Sequence, residues 1–125
     1  LHEWTDARIR LADTYRKLLA DLEEIQLPVL RPSARHAHHI FAILTPDRDQ
    51  IVTRMKEKGV FCGIHYPIPI HLHPSTRHLG GVRGDFPQAE RLAEQELSLP
   101  IYPELTEEKL IYVADALRSV LRSSS

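Results

Sequence analysis

The sequence predicts an α+β fold, with a small three-stranded sheet covered by three to four helices. Three observations predict it. Several stretches repeat apolar residues at three- and four-residue steps, three short runs are rich in β-formers, and a proline- and glycine-rich stretch interrupts the regular pattern. With 125 residues and 42% hydrophobic content, the chain can build one core, so residues 1–125 are expected to form a single domain.

The elements follow in order. Between about Thr5 and Leu22, apolar Leu11, Tyr15, Leu18 and Leu22 recur at helical steps, with Trp4 two turns before Leu11. This N-terminal helix and the start of a linker occupy residues 1–27, and the α+β core occupies residues 36–122. The run His38 to Leu44 reads as an interior strand. Thr45 is placed to cap the next helix, with Pro46 at its first position and Gly59 as its stop. A second strand is expected at Val60 to Ile64. Asp85 is expected to cap a further helix whose apolar stripe is Ala89, Leu92, Ala93 and Leu97. The segment LSLPIYP reads as a third strand, at an edge because Pro100 cannot donate to a ladder. Thr106 caps the last helix, striped by Leu110, Val113, Ala114, Leu117, Val120 and Leu121, and residues 123–125 are expected to fray.

Charge and composition exclude several classes. A net charge of -1, from 16 basic and 17 acidic residues without a basic block, argues against nucleic acid. No apolar run approaches the roughly 20 residues of a membrane span, and the first ten residues do not resemble a signal peptide. The lone Cys62 rules out an internal disulfide and fits a reducing cytoplasm.

The stretch Gly63 to Pro74, GIHYPIPIHLHP, is the candidate site. Pro67 and Pro69 exclude a helix and a central strand, leaving stiff extended backbone that carries His65, His71 and His73. Eight histidines raise the question of metal, but no spacing matches a zinc signature and Cys62 has no CxxC partner, so no metal ligands are assigned. His65-Tyr66 is the more informative pair: an imidazole that titrates near neutrality beside a directional hydroxyl. On the bare residues, both could equally pin the loop to the core. Cys62, within VFCGI, reads as packed, GGVRG as a surface turn, and Ser98 lacks a nucleophile-elbow pattern. No complete catalytic constellation is present.

The segments KEKGVFCGIHYPIPIHLHP and GDFPQAERLAEQELSLPIYPELTEEKLIYVADAL, in this order, resemble the C-terminal small domain of the DegT/DnrJ/EryC1/StrS family. These are pyridoxal-phosphate (PLP)-dependent, fold-type I aminotransferases acting on nucleotide-linked keto-sugars. The resemblance implies a chain that lacks the large PLP-binding domain, binds no cofactor alone and is inactive by itself. In the full enzyme it would help close the active site over PLP and a keto-sugar. It also implies substrate contacts at His65, Tyr66 and His71, and no catalytic residue of its own. Expected partners are a large aminotransferase domain, a nucleotide-sugar ligand and further copies of the chain, which would cover Trp4, Tyr15, Ile68, Ile70 and Leu72. His73 stands where the family often has glutamine, so no particular sugar is assigned. Two other readings remain open: a stand-alone small-molecule- or protein-binding module, and a truncated gene product without selected activity.

Overall fold

A computed structural model describes residues 2–123; Leu1, Ser124 and Ser125, including the end of the expected frayed tail, lie outside it. The elements are α1 (His2–Leu19), β1 (Phe41–Leu44), α2 (Arg48–Glu57), 3-10 turns at Ile70–Leu72 and Pro74–Leu79, α3 (Pro87–Gln95), β2 (Glu96–Leu99) and α4 (Glu107–Arg122). The fold class is α+β, as the periodicities predict.

Strands β1 and β2 pair antiparallel, Phe41 opposite Leu99 through Leu44 opposite Glu96. Helices α1, α2 and α4 pack over them. Tyr15, Leu19, Phe41, Ile43, Met55, Leu97, Leu110 and Leu117 are fully buried at the centre. All six residues of the α4 stripe are buried, and Thr106 Oγ1 accepts the Lys109 N–H as the cap its position predicts. Between α1 and α4, Arg118 makes two hydrogen bonds to the Asp21 carboxylate, of 2.6 and 2.8 Å, and a third to the Leu18 carbonyl.

The expected strand at Val60 to Ile64 does not form as a ladder. The run Val60–Ile64 reaches β2 through one isolated bridge, Gly63 opposite Ser98, which exchange both backbone hydrogen bonds at 2.9 Å. Antiparallel geometry would place the next hydrogen-bonded pairs at Phe61 with Pro100 and at His65 with Glu96. Pro100 has no N–H to give. At the other end, the Glu96 carbonyl accepts from Arg48 Nη1, and the His65 N–H turns to the Glu96 carboxylate instead. Both ends of the ladder are therefore closed after one rung.

Other boundaries move for comparable reasons. Strand β1 begins at Phe41, because His38 turns the chain at φ 46° while its N–H donates to His36 Nδ1. Thr45 is buried and extends the pairing, its N–H donating to the Gln95 carbonyl, so Asp47 occupies the cap position of α2. Gly59, at φ 74°, ends that helix as expected. At α3 the cap position is Phe86 and not Asp85, whose carboxylate accepts from the Val82 N–H. Leu92 is 50% exposed, and Glu90 takes the inward position instead. Tyr15 is not a surface residue awaiting a partner: it is fully buried, and its hydroxyl donates to the Pro100 carbonyl.

This packing separates two leucines that look alike in sequence. Leu117→Ala is expected to lower unfolding free energy by about 2–5 kcal/mol, the usual cost of truncating a closed core site. Leu92→Ala should change it by no more than about 0.5 kcal/mol. Urea denaturation of both variants checks this, and similar losses would refute the packing.

Candidate functional site

Strand β2 carries a polar pair on an otherwise apolar element. Glu96 and Ser98 are two residues apart, so they share a face, and both are over nine-tenths buried. The Ser98 hydroxyl donates to Glu96 Oε1 at 2.5 Å, and the His65 amide donates to Glu96 Oε2 at 2.6 Å. His65 Nδ1 lies 3.0 Å from Ser98 Oγ. Glu96 thus holds the His65 backbone directly and the His65 ring through a hydroxyl. Gly63 makes room for the ring: a Cβ there would stand 2.6 Å from His65 Cε1. The His65–Tyr66 peptide is cis, and the two rings meet edge-on at 5.6 Å.

Two concavities lie beyond this clamp. The smaller, about 390 Å³, is lined by Tyr66, Pro67, Ile68, Ile70, His73, Ser75 and Thr76. The larger, about 540 Å³, is lined mainly by Ile70, Leu79, Gly80, Gly81, Phe86 and Ala89, with His71 in its wall. Ile70 and Thr76 border both, and the Thr76 hydroxyl donates to the Ile70 carbonyl, tying the ridge together.

His71 is held by Glu90 from α3. Its Nε2 lies 2.9 Å from Glu90 Oε1, and since a carboxylate only accepts, this nitrogen carries the proton. The same oxygen accepts the Gly84 N–H at 2.8 Å and the Phe86 N–H at 3.4 Å. Burial opposes the charge on Glu90. The Gly84 amide, His71 and the Phe86 amide outweigh it and hold the carboxyl below the usual glutamate range. GGVRG is the surface turn expected of it, tied down by the Gly84 N–H on Glu90. A Cβ at Gly81 would lie 2.7 Å from the His71 carbonyl oxygen, which is why glycine stands there.

The three candidate residues are therefore not gathered at one point. His65 and Tyr66 are neighbours with exposed side chains, while His71 sits across the Ile70–Thr76 ridge with its ring mostly buried. Sequence reasoning missed Glu96 and Glu90, and weighed Ser98 only as a nucleophile. The available signal was Glu-x-Ser within an apolar strand: two polar side chains on one buried face need partners. Cys62 is half-buried against the core, and burial pushes its thiol up to about 11, so it is a packing residue and no nucleophile at neutral pH. Among the described residues, no three potential metal ligands converge, and no helix is long and apolar enough to cross a membrane.

The model of the DegT/DnrJ/EryC1/StrS aminotransferase family matches residues 1–118. The chain belongs to that family. Among curated relatives, it is 40% identical over 119 residues to the erythromycin biosynthesis sensory transduction protein EryC1 of Saccharopolyspora erythraea, covering 95% of this chain and 32% of the relative. It is 37% identical over 118 residues to dTDP-3-amino-3,4,6-trideoxy-alpha-D-glucose transaminase of Streptomyces venezuelae, covering 94% and 31%. The crystal structure of S. venezuelae DesV in complex with a ketimine intermediate superposes with a TM-score of 0.90 at 37% identity, covering 93% of this chain and 31% of that one. The DegT/DnrJ/EryC1/StrS chain described here spans about a third of the length of the curated relatives it matches.

The family is PLP-dependent, and the residues present do not fit that cofactor. Lys17, Lys56, Lys58 and Lys109 are all exposed on or beside helices, and none lines either concavity around the candidate residues.

The Glu90 cluster makes a pH prediction. A carboxyl whose folded pKa is depressed stabilises the fold above the ordinary glutamate pKa, and that stabilisation is lost as pH falls through its lower folded value. The Gly84 amide signal should therefore titrate with a midpoint below the usual glutamate range in the wild type and show no such step in Glu90→Gln. Indistinguishable NMR titrations of the two would contradict this role.

Proposed function

We propose that the chain forms a substrate-facing rim of a nucleotide-sugar aminotransferase, with His65, Tyr66 and His71 as its contacts, and that it does not transaminate alone. The observation that carries this reading is the clamp on the rim. Gly63 is bonded to β2, the His65 backbone to Glu96, and the His65 ring to Ser98, while the side chains of His65 and Tyr66 remain exposed. Rigid backbone bearing exposed polar rings lowers the entropic cost of ordering a ligand. Tyr66 lines the smaller concavity, whose apolar wall suits the carbon face of a sugar ring. His71 sits against the apolar larger concavity, on the far side of the ridge.

Family membership and the relatives' names support the substrate class, a nucleoside-diphosphate sugar such as the dTDP-linked sugar of the S. venezuelae transaminase. The proposed inactivity rests on the lysines. Covalent PLP catalysis needs an amine that carries the cofactor and shuttles protons, and each of the four here is a solvated surface charge. A large cofactor-bearing domain, or other copies of the chain, would cover the exposed Trp4, Ile68 and Ile70, while Leu72 is already half-buried.

Titration of the chain with a dTDP-linked sugar tests the reading. The NMR signals of His65, Tyr66 and His71 should shift, while those of Leu117 and Val120 in α4 stay in place. Unmoved loop signals at millimolar ligand would remove the proposed contact. Addition of PLP should produce no internal-aldimine absorbance band, and a lysine-dependent band with amino transfer would overturn the inactivity.

A further inference from the structure

The hydrogen-bond inventory around Ser98 decides something the fold alone does not. A serine hydroxyl has one proton, and that of Ser98 goes to Glu96 Oε1 at 2.5 Å. Its oxygen can then only accept from His65, so the Nδ1 nitrogen 3.0 Å away must be the protonated one. Neutral His65 is left with a bare lone pair on Nε2, on a side chain that is otherwise exposed. The reverse arrangement, with the Ser98 hydroxyl donating to Nδ1, would strip Glu96 Oε1 of its one donor in a buried site, since the His65 backbone N–H at 2.6 Å goes to Oε2.

We infer that Glu96, acting through Ser98, is a positioning residue that fixes His65 as its Nδ1–H tautomer, so that Nε2 recognises a hydrogen-bond donor on the ligand. The chemical class follows. A sugar hydroxyl or an ammonium group donates to such a nitrogen, whereas a phosphate oxygen, itself an acceptor, is turned away. This part rests on the proposed rim function; the tautomer does not.

Replacing the Glu96 carboxylate by an amide should reverse the tautomer. In Glu96→Gln the side chain offers one acceptor and one donor group. The His65 backbone N–H can only donate, so it takes the glutamine oxygen. The glutamine NH₂ then donates to Ser98 Oγ, which frees the hydroxyl proton for His65 Nδ1. The ring should invert to Nε2–H and become a donor towards the ligand.

Nitrogen-15 NMR of the His65 ring, recorded on the full chain at about pH 8, where an ordinary histidine is neutral, reads the tautomer directly. The signal is assigned by its loss in His65→Gln. The wild type should show a protonated Nδ1 and an unprotonated Nε2, and Glu96→Gln should show the reverse. A wild-type ring protonated on Nε2, or on both nitrogens, overturns the inference, as does a Glu96→Gln ring that keeps Nδ1–H. Should that variant not fold, Ser98→Ala decides instead: loss of the Nδ1–H preference supports the relay and its retention refutes it. Inorganic phosphate supplies the ligand arm. It should leave the wild-type ring signals unmoved, and a shift of Nε2 on adding phosphate would overturn the donor-ligand assignment. The expected tautomer in a chain that binds no sugar would leave the relay standing and remove only the rim function.

Discussion

The paired hydrogen bonds between Gly63 and Ser98 are the constraint on which the site depends. Two backbone bonds contribute only about 0.5–1.5 kcal/mol each, far less than the buried side chains of α1, β1 and α4 together. The fold does not need this bridge, but the rim does. The stretch from Ile64 to Pro69 makes no backbone–backbone hydrogen bond to the sheet among the described residues, so the Gly63–Ser98 bridge sets its register on β2. Glu96 then does two jobs that a longer ladder would have prevented. Its carbonyl satisfies Arg48, and its carboxylate takes the His65 amide and the Ser98 hydroxyl. Truncating the ladder is what leaves the His65 amide to Glu96 and its side chain exposed.

The helices were readable because their signal is local and periodic. The α4 stripe and the Thr106 cap lie where the spacing places them. The strand count was not readable in the same way. Val60–Ile64 has the composition of a strand, yet whether it pairs depends on what Pro100 and Arg48 do at positions distant in sequence. The α3 stripe misled for a related reason: Leu92 has the spacing of a core residue, but the loop at Gly84 needs a buried acceptor, and Glu90 takes the inward face to supply it.

The site was half readable. A rigid loop presenting His65 and Tyr66 follows from the prolines alone, whereas the residues that orient the ring lie on β2, more than 30 positions away. His71, grouped with His65 by proximity in sequence, belongs to a second cluster organised by α3. The loop therefore carries two histidine clusters on either side of the Ile70–Thr76 ridge, each organised by one glutamate. Each glutamate is buried and hydrogen-bonded, Glu96 through both carboxylate oxygens and Glu90 through three contacts to Oε1; among the described residues no buried side-chain polar atom is left unsatisfied.

Native-state hydrogen exchange across a denaturant series tests most directly that the rim is clamped to β2. The amides of Gly63, His65 and Ser98 should open together, with one free energy and one denaturant dependence, because each donates into the same cluster. Fast, denaturant-independent exchange of Gly63 and His65 beside a protected Ser98 would show a free loop and contradict the account.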